Sequence, residues 1–147
     1  VPPIEIRALA PEDHAAWLTL WAGYQEFYQA DIAPVTETTW QRLLDPAEPM
    51  HGALALHGDH RVGLVHWIMH RSTWSIGDVC YLQDLYVAPD HRKSGIGRRL
   101  IEHACDAAIA AGCPEIYWLT HDRNHTAMTL YDQIATRSGF VQYQKIF

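Results

Sequence analysis

Tyr81–Gly97 reads YLQDLYVAPDHRKSGIG, and the fold turns on it. From Val79 to Val87 the chain is apolar apart from Gln83 and Asp84, the pattern of a central strand, and strict alternation puts these two polar side chains on opposite faces. A short loop bearing Arg92 and Lys93 follows, then Gly95 and Gly97 at the mouth of a helix. Backbone N–H groups at a helix start, made approachable by glycine and flanked by cations, suit a phosphorylated ligand. A P-loop is excluded, because no Gly-x-x-x-x-Gly-Lys-Ser/Thr string occurs. A dinucleotide fingerprint would need a third glycine or alanine, but Gly95-Ile96-Gly97 continues as Arg98-Arg99-Leu100.

Arg92-x-x-Gly95-x-Gly97 after an extended strand resembles the Gln/Arg-x-x-Gly-x-Gly/Ala pyrophosphate loop of the GCN5-related N-acetyltransferase (GNAT) superfamily. A second match, Asn124-x-x-Ala127-x-x-Leu130-Tyr131, resembles that family's Asn-x-x-Ala-x-x-Leu-Tyr signature, with one helix and one strand between the two. Tyr117-Trp118-Leu119-Thr120-His121 with Leu130-Tyr131-Asp132 further resembles the branch of the yeast histone and polyamine acetyltransferases, some of whose members act on D-amino acids. In this branch Gly-Phe follows the tyrosine by an extra helical turn, as Gly139-Phe140 does here. Polyamine acetyltransferases carry a Tyr-Leu-Glu-Asp run, and Gln83 in place of its Glu counts against a polyamine acceptor.

The remaining elements follow in order. Ile4–Ala8 alternates as a first strand, and Pro11, Glu12 and Asp13 suit a helix opening. Trp17, Leu20, Trp21, Tyr24, Phe27 and Tyr28 recur at helical spacing. That face reads as sheet-packing core, or, at its end from Tyr24 to Ala33, as a wall of the acceptor pocket. Thr36–Leu44 is a second helix with Thr36 as its cap; Gly52–His57 and Arg61–Met69 form a hairpin. A helix running to Gly112 and Pro114, a strand Glu115–His121, a helix stopping at Gly139 and a last strand Phe140–Ile146 complete the chain. The expected fold is α/β (α+β), a single domain over 1–147. Its GNAT-type mixed central sheet has six to seven strands in the order βααβββαβαβ, helices on both faces and a cleft between two splayed central strands.

With 147 residues, 48% of them hydrophobic, the chain can bury one core. No stretch approaches a membrane span, and Val1-Pro2-Pro3-Ile4-Glu5 lacks the layout of a secretory signal, so a cytoplasmic location is expected. A net charge of −6 argues against nucleic acid as partner. Cys80, Cys105 and Cys113 are odd in number and unpaired in spacing, which suggests reduced thiols. The histidine pairs His57/His60 and His66/His70 have no third ligand at metal spacing, so no metal site is expected.

The resemblance implies that acetyl-CoA gives its acetyl group to a primary amine directly. The acceptor would be a small amine, an amino acid or a protein lysine. By the same resemblance the N–H groups of Lys93, Ser94, Gly95, Ile96, Gly97 and Arg98 hold the pyrophosphate with Arg92 nearby. Leu85, Tyr86 and Val87 offer main-chain groups to the pantetheine, and an N–H near Val87 stabilises the oxyanion. Asn124 either binds the pantetheine arm or caps its helix. Tyr131 is the candidate general acid and Asp84 the candidate base or else a salt-bridged structural carboxylate, with Tyr81 and His121 weaker alternatives for the base. Members of this branch often assemble as dimers, so a homodimer is a candidate. The rival reading is a non-catalytic acyl-CoA-binding or regulatory domain.

Overall fold

The computed structural model describes residues 3–147. Strand β1 (Ile4–Ala8) is followed by helices α1 (His14–Phe27) and α2 (Thr36–Leu44). Three strands come next, β2 (Met50–His57), β3 (His60–His70) and β4 (Val79–Val87). Helix α3 (Ile96–Ala110), the short β5 (Ile116–Tyr117) and α4 (His125–Ile134) complete the order. The sheet is mixed and five-stranded in sequence order, antiparallel from β1 to β4 and parallel between β4 and β5.

Each face of the sheet carries its own core. Ala53, Ala55, Val65, Trp67, Cys80 and Leu82 meet the stripe Ile96, Leu100, Ile101, Ala104 and Ala108 of α3. Leu54, Leu56 and Leu64 project the other way, onto Trp17, Leu20 and Trp21 of α1 and Trp40 and Leu43 of α2. The alternation of β2 therefore feeds both layers, as strand geometry requires. Most of the aromatic face of α1 is thus ordinary core.

Helix α3 stops where its sequence said it would. The Cys113 N–H donates to the Ala108 carbonyl and the Gly112 N–H to Ile109, with Gly112 at φ +82°, the left-handed close that glycine permits. Thr36 is not the cap of α2: its hydroxyl donates to the Ile32 carbonyl and accepts from the Trp21 indole.

Three expectations near the C-terminal end need correction. The strand expected over Glu115–His121 is paired only at Ile116–Tyr117, because the chain then turns away from β4. The helix expected to reach Gly139 stops at Ile134, where Ala135 is extended at φ −149°, ψ 179°, so the residues before Gly139 form an extended link and not an extra turn. Residues 140–146 form no strand, since no neighbouring strand lies beside them among the described residues. The sheet accordingly has five strands, not six or seven.

One buried ion cluster pins the layers together. The Asp13 carboxylate, fully buried before α1, accepts from both terminal nitrogens of Arg7 at 2.7 and 2.8 Å, from Arg61 Nε at 3.0 Å and from the Ala10 N–H at 2.9 Å. The Arg7 hydrogen bond above all holds this carboxyl well below its ordinary range. The folded value is depressed, so the stabilisation is present above the unfolded carboxylate pKa of about 4 and is lost as pH falls below it. Asp13→Ala should cost about 3 kcal/mol at pH 7, the low end for a broken buried pair because both arginines keep contact with water. Urea melts at pH 7 and pH 3 should show the gap to wild type narrowing on the acid side.

Candidate active site

Strand β4 is bonded to β3 along its length, from His70↔Val79 to Gly63↔Val87, but to β5 only at Cys80↔Ile116 and Tyr81↔Tyr117. Beyond Tyr81 its second edge is unpaired among the described residues. The two strands part there, and the narrow cleft between them is lined by Tyr28, Leu82, Gln83, Leu85, Trp118, Leu119 and Tyr131. The free edge carries the main chain of Leu85, Tyr86 and Val87. The Val87 carbonyl is taken by Arg92, whose Nε donates to it at 2.8 Å. The Arg92 guanidinium lies 5.2 Å from the ring centre of Phe27 and 5.4 Å from that of Tyr86, so it reaches the end of α1.

At that loop Lys93 and Gly95 take positive φ values of 63° and 83°, turning the chain into α3. The first intrahelical bond runs from the Arg99 N–H to the Gly95 carbonyl, so the N–H groups of Ile96, Gly97 and Arg98 have no acceptor within the helix. Nothing stands within 4 Å of a Cβ built on Gly95, and only Val87 Cγ2, at 4.0 Å, approaches one on Gly97. A diphosphate fits this open cradle of amides. The side chains beside it are otherwise engaged: the Ser94 hydroxyl donates to the His91 carbonyl and Arg98 pairs with Glu102.

Asp84 owes its position to a β-bulge. His66 pairs with Asp84 and Trp67 with Leu82, which leaves Gln83 as the extra residue. Strict alternation would have put Asp84 beside Leu82 on the α3 face. The bulge instead turns it to the α1 face, where it is buried. There its Oδ2 lies 2.9 Å from His66 Nδ1, and the Trp17 indole N–H donates to His66 Nε2 at 3.0 Å. An indole nitrogen only donates, so Nε2 accepts and His66 carries its proton on Nδ1, directed at Asp84. Among the described residues the carboxylate is paired with His66 and with no arginine or lysine. Burial, and then the Asp84 charge, raise the pKa of Tyr24, Tyr28 and Tyr81. Three phenols thus feel the charge of one carboxylate and stay protonated.

Tyr131, on α4, sits edge-on to Trp118 with ring centres 5.5 Å apart. Burial first, and Tyr28 second, push its phenol up to about 12. Asn124 caps α4: its side-chain oxygen accepts from the Ala127 N–H and its amide reaches Thr120 Oγ1, both at 3.4 Å. His121 is exposed on the far loop, bonded to the Arg123 N–H. Burial pushes the Cys80 thiol up to about 12 and raises Cys105 and Cys113, so none is a ready nucleophile.

A sequence profile described as the Acetyltransferase (GNAT) family matches residues 13–135. The chain belongs to that family. It is an acetyl-CoA-dependent N-acetyltransferase. Among curated proteins it is 38% identical over 146 residues to the D-amino-acid N-acetyltransferase HPA3 of Saccharomyces cerevisiae, covering 97% of this chain and 90% of that one. It is 31% identical over 130 residues to the thialysine N-epsilon-acetyltransferase of Caenorhabditis elegans, covering 88% and 81%. Among solved structures, AAC(6')-Iy in complex with a bisubstrate analogue of CoA superposes at a TM-score of 0.84 with 15% identity over 99% of both chains. A ribosomal-protein-alanine N-acetyltransferase from Brucella melitensis does so at 0.83 with 21% identity, over 99% of this chain and all of that one.

Tyr24 was expected at this acetyltransferase site, as the start of the acceptor-pocket wall, whereas Trp17 and His66, which hold Asp84 in place, were not. Their only signal was composition, since contacts across 18 and 49 residues have no local spacing. Nitrogen-detected NMR of the imidazoles should find His66 in the Nδ1–H form, and Trp17→Phe should return it toward the Nε2–H form that free imidazole favours.

Proposed function

We propose that the cleft between β4 and β5 transfers the acetyl group directly from acetyl-CoA to the amine of a small acceptor, an amine or amino acid, with Asp84 as base and Tyr131 as acid. The observation that carries this reading is the place of Tyr28. It lines the cleft beside Tyr131, and burial first, with the Asp84 charge second, raises its pKa; burial first, with Tyr28 second, raises that of Tyr131. The acid therefore borders the cleft, and the buried base is coupled to it electrostatically through Tyr28.

In this reading the amides of Lys93 to Arg98 hold the diphosphate, and the edge of Leu85, Tyr86 and Val87 takes the pantetheine as an added strand. The N–H near Val87 faces the carbonyl oxygen as it gains charge. An alkylamine enters protonated at neutral pH, and Asp84, directly or through water, accepts a proton so that the nitrogen lone pair can attack. The rings of Tyr24, Tyr28 and Tyr81 suit an ammonium at that carboxylate. As the C–S bond breaks, Tyr131 gives its proton to the thiolate and is reprotonated from solvent. His66, locked by Trp17, orients Asp84 without touching substrate. The relatives named for D-amino acids and thialysine favour a small acceptor over a protein lysine.

Release of free thiol from acetyl-CoA should be followed across D- and L-amino acids, thialysine and polyamines. Turnover on a small amine is expected. Silence across the panel with coenzyme A still bound would instead mean a non-catalytic acyl-CoA-binding domain. Tyr131→Phe should lower kcat about 100-fold with unchanged affinity for acetyl-CoA, and Asp84→Asn should lower it by at least as much. With its phenol at about 12, Tyr131 should add no alkaline limb to the kcat profile below about pH 11. Gly95→Ala, which forces a side chain into positive φ, should raise the KM for acetyl-CoA roughly tenfold and leave kcat nearly intact.

A further inference from the structure

Asp84 is buried and does not line the cleft, whereas Tyr28 and Tyr131 do. A proton taken from an ammonium in the cleft must therefore cross the wall between that space and the carboxylate. A carrier for it must both donate and accept, which a hydroxyl does and an indole does not.

Two ways out of the Asp84 site lead elsewhere. The Nδ1–H of His66 is directed at Asp84 and its Nε2 is taken by the indole of Trp17, which is fully buried, so that side is closed. Tyr81 stacks on Tyr117 with ring centres 5.0 Å apart, and the Tyr117 hydroxyl lies 2.8 Å from Nε2 of the exposed His70. The end of α1 leads to the cleft. His66 packs on Trp21 at 5.2 Å between ring centres, Trp21 stacks on Tyr24 at 5.1 Å with the planes 4° apart, and Tyr24 leans on Tyr28 at 4.8 Å. Tyr28 ends this staircase half exposed in the cleft lining. Burial comes first in keeping both phenols protonated and the Asp84 charge second; for Tyr24, hydrogen bonding to Asp84 adds to them.

We infer that Tyr28 is a further catalytic residue, which takes the proton of the acceptor's ammonium in the cleft and relays it through Tyr24 to Asp84. The inference rests on the reading of Asp84 as base and states how a buried base serves an open cleft. The ammonium N–H bond breaks as the Tyr28 oxygen gains that proton, the Tyr28 proton passes to the Tyr24 oxygen, and the Tyr24 proton passes to the Asp84 carboxylate. Ammonium and carboxylate become amine and carboxylic acid, and both phenols end as they began. Phenols that resist ionisation suit this concerted shift, because neither has to stand as a phenolate. The reverse shift returns the proton to solvent before the next turnover. The titratable groups in play at Tyr28 are Tyr24 on its own helix, Asp84 on β4 and Tyr131 on α4, and Arg92 lies over the neighbouring Phe27 ring.

Tyr28→Phe should keep its helical circular dichroism and its affinity for coenzyme A, because the side chain is half exposed. At pH 7 its kcat on an alkylamine acceptor should fall at least about tenfold. That deficit should close as pH rises through the acceptor's own pKa, between about 8 and about 10.4 for primary amines, because an amine that arrives neutral needs no relay. Tyr24→Phe should behave alike and takes the place of Tyr28→Phe if that variant fails to fold. Adding Tyr28→Phe to Asp84→Asn should cost nothing further, since both lie on one path. An undiminished kcat in Tyr28→Phe, a deficit that persists at high pH, or additive losses in the double variant overturns the relay. Asp84→Asn alone separates the two readings. If its deficit closes with pH and that of Tyr28→Phe does not, the relay fails and the base stands; if its deficit does not close, Asp84 is not the base and the proposed chemistry fails first.

Discussion

A strand that is hydrogen-bonded on both edges has no main-chain groups left for a ligand. Strand β4 is bonded on one edge throughout and on the other for two residues only. That partial pairing creates the cleft, leaves the second edge of Leu85, Tyr86 and Val87 without a strand partner, with the Val87 carbonyl taken by Arg92, and places Tyr131 on α4 in its lining. The cost of unsatisfied peptide groups is one that water or substrate must offset.

The bulge at Gln83 is the second determinant. One additional residue in β4 moves Asp84 from the face packed by α3 to the face packed by α1, where Trp17 and His66 already form a donor chain. The result is a buried carboxylate with one fixed hydrogen bond to His66, a charge that three phenols feel, and no arginine or lysine partner among the described residues. Such a group can hold an ammonium or take a proton from one, which a carboxylate clamped by arginine does poorly. Asp13 shows the contrast within the same chain: two arginines hold it, and its role is to join β1, β3 and the start of α1.

Helix α1 serves both layers of this design. Its first turns bury Trp17, Leu20 and Trp21 against the sheet, while its last carry Tyr24 and Tyr28 to the site. The approach is close enough that a Cβ on Gly23 would stand 2.5 Å from the Tyr86 hydroxyl, so the glycine in mid-helix is there for the ring that crosses it. That contact seats Tyr86 under Arg92 and ties the end of α1 to β4.

The sequence determined what depends on neighbours along the chain. The span of β4, the glycine turn into α3, the glycine close of that helix and the two family motifs are set by residues within a few positions of each other, and each stands where it was expected. Tertiary structure alone decided how far β5 pairs and where α4 stops, because those depend on partners distant in sequence. It also decided that Asp84 faces α1, since one inserted residue in a ladder inverts the side-chain alternation and leaves no mark in local composition. The indole that fixes the His66 tautomer lies 49 residues away in the chain, and only packing could bring it within 3.0 Å.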